Sequence, residues 1–168
     1  KSKEIPTADY QKLTAVESIP NTNKVVTGSI EGTIRLWNVE SGRAENAIAT
    51  MGTEIVSLAV SNKGKFVAAG ALDGTVGVWE LQSNTCLLQE AIGSGIILDI
   101  SFSSDGSFII ISSSERGVFA VDIQSGNTIW STPRTGADVI ALAVSQENEV
   151  VVTATSRGVL KLIDSQTG

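Results

Sequence analysis

The chain has 168 residues, of which 42 % are hydrophobic and only 18 % charged, enough apolar material for a sizeable core and too much for a disordered segment. Its net charge is −6 and its twelve basic residues are scattered, so it lacks the cationic stripe that direct binding to nucleic acid or an anionic membrane requires. With no histidine and one cysteine, Ser-His-Asp and Cys-His catalysis, His-containing zinc sites and an internal disulfide are excluded, and no apolar run reaches the ~20 residues that cross a bilayer.

Written in frames of 42 residues, the chain aligns with itself without a gap: Leu36-Trp37-Asn38 falls over Val78-Trp79-Glu80, Ala120-Val121-Asp122 and Leu162-Ile163-Asp164. The first residue is Lys1, not Met, so an upstream segment is expected. In the first frame, short strands are predicted over 13–18, 24–27 and 33–37, the last alternating cleanly, before a Ser41-Gly42 turn. The second frame holds an apolar run at 56–60, a polar turn at Asn62-Lys63-Gly64, a strand at 66–69, a tight turn at Asp73-Gly74, a third strand reaching Trp79 and a less regular fourth at 85–89. Cys86 lies in that last stretch and reads as a small buried hydrophobe. The third frame repeats the pattern at 98–102, 108–111, Ala120 to Asp122 and 128–131. The fourth runs through 140–144, 150–153 and 159–163 and stops at Thr167-Gly168, short of a fourth strand. Strands this short, joined by tight turns, leave no room for helices. The fold class is therefore all-β, a meander of four-stranded antiparallel sheets stacked as propeller blades, with four blades in this chain. Residues 1–10 form a lead-in or partial outer strand and 11–168 the blades.

At residues 32–38, and at Asp73-Gly74-Thr75-Val76 followed by Val78-Trp79-Glu80, the chain resembles WD40 repeats. The turns from Ser61 to Gly64 and from Ser103 to Gly106 fit the same pattern. The third frame is similar to the repeat of quinoprotein-type propellers: Ala120, Asp122, Ser125, Gly126 and Trp130 take its positions, and the resemblance implies that glycine and tryptophan lock neighbouring blades. The chain departs from the WD40 pattern in having no histidine, alanine at the usual hydroxyl position of the second frame, whether that is Ala69 or Ala71, and Val121 and Ile163 in place of tryptophan. The resemblance covers about residues 11–168 and implies closed rings of seven or eight blades. Three explanations fit four: a fragment of a longer polypeptide, two copies joined into an eight-bladed ring, or a closed four-bladed ring. Residues 1–7 align with the missing fourth strand, although Glu4 and Pro6 suit it poorly. Open sheet edges would favour self-association.

Trp37, Trp79 and Trp130 occupy recurring slots and are expected to pack sheets, not to stack on ligands. In an up-and-down meander, the loop entering each blade lies at the same end as the turn between its second and third strands. That end carries Glu31, Glu54, Asp73, Glu115 and Asp138 against Lys12, Arg116 and Arg157, and forms a candidate partner-binding face for basic protein or peptide segments. The alternative is that these are solvated turn residues, and Asp before Gly at Asp73 needs no other explanation. Asp99 lies on a strand near the axis, but its frame equivalents Ser57 and Ala141 supply no second carboxylate, so neither a glycosidase pair nor a calcium loop is expected there. The sequence thus predicts a non-catalytic, cytoplasmic protein-interaction scaffold without cofactor or metal. A quinoprotein-like propeller from an exported protein, acting as a scaffold or a cofactor enzyme, is the alternative.

Overall fold

The structure is a computed structural model describing residues 12–93, 95–134, 136–145, 147 and 149–168. The proposed strand over residues 1–7 lies outside these. Fifteen strands and no helix are found among the described residues. The first sheet contains β1 (Leu13–Ser18), β2 (Lys24–Ser29), β3 (Thr33–Asn38) and β4 (Arg43–Thr50). The second contains β5 (Ile55–Val60), β6 (Phe66–Ala71), β7 (Thr75–Glu80) and β8 (Cys86–Ala91). The third contains β9 (Ile97–Phe102), β10 (Phe108–Ser113), β11 (Gly117–Asp122) and β12 (Thr128–Ser131), and the fourth β13 (Val139–Val144), β14 (Val150–Thr155) and β15 (Leu160–Asp164). Every pairing is antiparallel between sequential strands, which is the expected meander of propeller blades, the last with three strands among the described residues.

Sequence alternation explains how the sheets stack. Successive side chains point to opposite faces, and paired residues share one. In the second sheet the rows Ala59–Ala68–Val78–Leu88 and Gly70–Val76 define a forward face, and Leu58–Ala69–Gly77 and Val60–Val67–Trp79 a rear face. The forward face of each sheet packs on the rear face of the next. Val26 and Ile34 of the first sheet meet Leu58, Val67, Ala69 and Trp79 of the second. Ala68, Val76, Val78 and Leu88 meet Ile100, Ile109, Ile111 and Val121 of the third. Ile110, Val118, Ala120 and Trp130 meet Val151, Leu142 and Ile163 of the fourth. β1, β5, β9 and β13 are the inner strands, each lying against the next.

Two close approaches set the spacing. The space where a Cβ would stand on Gly28 is filled by Ile55, and on Gly70 by Ile97, so the first residues of β5 and β9 wedge against a bare backbone in the preceding sheet. The tryptophans pack as expected. Trp37 Nε1 donates to Thr27 Oγ1 at 2.8 Å within its own sheet, and the Trp79 ring lies over Gly77. Trp130 Nε1 donates to the Ser165 carbonyl of the next sheet at 2.8 Å and its ring rests on Gly168, while Gly126 lies against Leu88 and Glu90 of the preceding sheet.

Cys86 corrects the sequence reading: it is exposed, not buried. It begins the outermost strand, and a bulge opposite Val78 and Trp79 turns Leu88 inward and leaves Cys86 at the edge.

Candidate functional site

The end of the stack that carries the second-to-third-strand turns is organised by main-chain hydrogen bonds. In every sheet the residue opening that turn donates its N–H to a carbonyl of the loop that enters the same sheet. The pairs are Ile30 to Lys12 at 2.9 Å, Leu72 to Glu54 at 2.9 Å, Ser114 to Ile96 at 3.0 Å and Ser156 to Asp138 at 2.9 Å. The frame repeats at the level of single bonds, and in the third sheet Ser114 Oγ adds to the bracket by accepting the Ile96 N–H at 3.0 Å.

Side chains then tie each turn. Ser29 Oγ accepts the Thr33 N–H at 3.1 Å and Thr155 Oγ1 accepts the Val159 N–H at 3.1 Å. The second sheet has Ala71 at the same frame position and no hydroxyl. There Asp73 Oδ1 accepts the Thr75 N–H instead, at 2.9 Å. Asp73 is therefore partly committed to its turn, as the solvated-turn reading expects, while its side chain stays exposed.

Of the five carboxylates singled out from sequence, Glu31, Asp73 and Glu115 are exposed on consecutive turns, and Glu54 and Asp138 are half-buried in the loops beside them. The structure brings all five to one end. Asp138 pairs with Arg134 at 3.4 Å, a contact between solvent-exposed groups. The cations of that end are partly engaged. Arg116 donates to the Ile92 carbonyl and Thr128 Oγ1, both at 3.1 Å, and its guanidinium lies 4.3 Å from the Phe119 ring centre. The opposite end mixes signs, with Lys65 near Glu80 at 3.5 Å.

Asp99, on the inner strand β9, bridges two sheets. Its carboxylate accepts the Ile100 N–H at 2.9 Å and, from the fourth sheet, the Leu142 N–H at 2.6 Å. Burial pushes its carboxyl above the ordinary range and the two N–H donors pull it back. It clamps β9 to β13. Sequence could not name Leu142 as its partner, because the bond crosses a blade boundary. A cleft of about 340 Å³ also opens between the third and fourth sheets, lined by Val118, Thr132, Arg134, Thr153 and Lys161, which no motif in the sequence marks. Among the described residues, no three Cys, Asp or Glu side chains are grouped to hold a metal ion, and no helix is long and apolar enough to cross a membrane.

Residues 8–127 match the family described as the SHKBP1/KCTD3 C-terminal beta-propeller. The chain belongs to that family. The match covers the first three frames of the SHKBP1/KCTD3 propeller up to the turn before β12, and the fourth continues the same 42-residue period beyond it. No curated protein sequence matches. Among solved structures, the computationally designed Ika4 protein is similar with a TM-score of 0.81 at 22 % identity, over 98 % of this chain and 99 % of that one. At that identity the likeness speaks for the fold alone. Membership in the SHKBP1/KCTD3 propeller family supports a β-propeller, and does not single out the WD40 or the quinoprotein type.

Proposed function

We propose that this chain is a non-catalytic interaction scaffold, a WD40-like propeller or portion of one in a larger cytosolic assembly, which takes basic protein or peptide segments at the end carrying Glu31, Glu54, Asp73, Glu115 and Asp138. One observation carries the reading. The repeated N–H to carbonyl bracket fixes turn and loop together in all four sheets, so acidic side chains from separate frames are held at one end. A row of carboxylates on a rigid scaffold attracts a flexible cationic segment and steers its approach. Membership in a propeller family is consistent with this role.

Fluorescence anisotropy with a labelled Lys/Arg-rich peptide tests it. The unaltered chain binds that peptide, ignores an acidic peptide of equal length, and loses affinity as salt rises. Reversing Glu31, Asp73 and Glu115 to lysine weakens binding by about tenfold or more while the β-sheet circular dichroism stays unchanged. Equal binding by the reversed variant, or none by the original, overturns the proposal.

A further inference from the structure

Three times in this chain a forward sheet face meets the rear face of the next sheet. The fourth forward face has no such neighbour among the described residues. It consists of two registered rows, Ala141–Ala154–Leu160 and Ala143–Val152–Leu162, with no polar side chain in either. Leu160 is 71 % exposed and Leu162 75 %, whereas their frame equivalents Val76, Val78, Val118 and Ala120 are all buried. The other end of the stack shows the complementary vacancy. Val16, on the rear face of the first sheet, is 63 % exposed, and its equivalents Leu58 and Ile100 are buried. Leu13 holds the position from which Ile55 and Ile97 wedge into the preceding sheet, and it too is exposed. β1 packs on β5, β5 on β9 and β9 on β13, but β13 does not pack on β1 in that way, so among the described residues these faces are not buried against each other.

We propose that the forward face of β13–β15 docks on the rear face of β1–β4 in a second copy of this chain, and reciprocally, so that two copies close a ring of eight sheets about a two-fold axis. The surface pair is the one the chain already uses three times, which makes the new contact continuous with an existing interface. The six apolar side chains of this face would meet Leu13, Val16, Val25 and Trp37 on a rear face that also carries Ser18, Thr27 and Arg35. Two copies joined in this way cover both of the faces described above, whereas an open stack of copies exposes one at each end.

Sedimentation equilibrium on the 168-residue chain decides the matter. The expected mass is twice the 17.5 kDa of one chain. Leu162→Lys and Val16→Lys each halve it. Both sites are exposed in the single chain, so each variant should keep its sheet circular dichroism, and Leu13→Lys substitutes for Val16→Lys if that variant loses it. A single-chain mass at every concentration overturns the proposal. So does a mass that climbs steadily with concentration, which means an open stack. A pair that only one of the two lysine variants dissolves also overturns it, because that means like faces packed back to back.

Discussion

Thr27 and Thr153 occupy the same frame position and differ in one partner. Thr27 Oγ1 accepts the Trp37 indole N–H, while the frame position of Trp37 in the fourth sheet holds Ile163, which has no donor, and the buried Thr153 hydroxyl has no partner among the described residues. An unmatched buried hydroxyl costs about 1–3 kcal/mol. Thr153→Val is therefore expected to raise stability by about 1 kcal/mol, and Thr27→Val to lower it by about as much by stranding the Trp37 N–H. Urea unfolding reads both, and a less stable Thr153→Val refutes the account. The aspartates set the acid response. Backbone N–H donors, Ser125 first for Asp122 and Thr167 first for Asp164, hold these carboxyls below their usual range. They add stability above the ordinary aspartate value near pH ~4, and it is lost as pH falls through the lowered values. Asp99, raised by burial, works the other way: its protonation is favoured in the folded chain as pH falls. Asp122→Asn should flatten the acid limb of a urea-midpoint profile, and Asp99→Asn should steepen it. At this scale the frame made the tryptophans legible, since a recurring slot marks a packing role. It could not show that Thr153 lacks a donor or that Asp99 reaches Leu142, because both depend on register and on a neighbouring sheet.

At the scale of elements, the contact between sheets depends on residues with no side chain. A Cβ on Gly70 would run into Ile97 and Ser57, and one on Gly28 into Ile55. Overpacking of this kind costs about 1–3 kcal/mol. Gly70→Ala and Gly28→Ala are thus expected to lower the melting temperature by several degrees, and a scanning calorimeter that finds them unchanged would show that the sheets can slide apart freely. Strand positions were readable from alternating apolar residues bounded by Gly, Asn and Asp turns, and the second and third strands fall close to the predicted places. The outer strands were less so. Their half-exposed composition carries a weak pattern, and bulges opposite Ala120 and Val78 break the period that would have placed Cys86 outside.

The described residues form a linear stack in which the sheets pack chiefly on their sequential neighbours, so stability should pass along it step by step. The second and third sheets are covered on both faces and should show the slowest amide exchange, the fourth the fastest. Trp130 joins the third sheet to the fourth through Ser165 and Gly168. Trp130→Ala should then release the amides of β13–β15 while those of β6 and β7 keep their protection, and hydrogen exchange followed by mass spectrometry would detect uniform loss if the stack instead unfolds as one unit. The architecture was legible because a repeat states its own period. Which faces stay uncovered was not, since apolar composition is alike in faces that meet a neighbour and in those that do not.

The four brackets between turn and loop use an amide hydrogen and a carbonyl oxygen, groups that almost every amino acid supplies. The residues they hold in place are consequently free to vary, provided no proline removes the donor at 30, 72, 114 or 156. What the molecule offers to its surroundings at that end can be rewritten position by position, by selection or by design, without any change in the geometry that presents it.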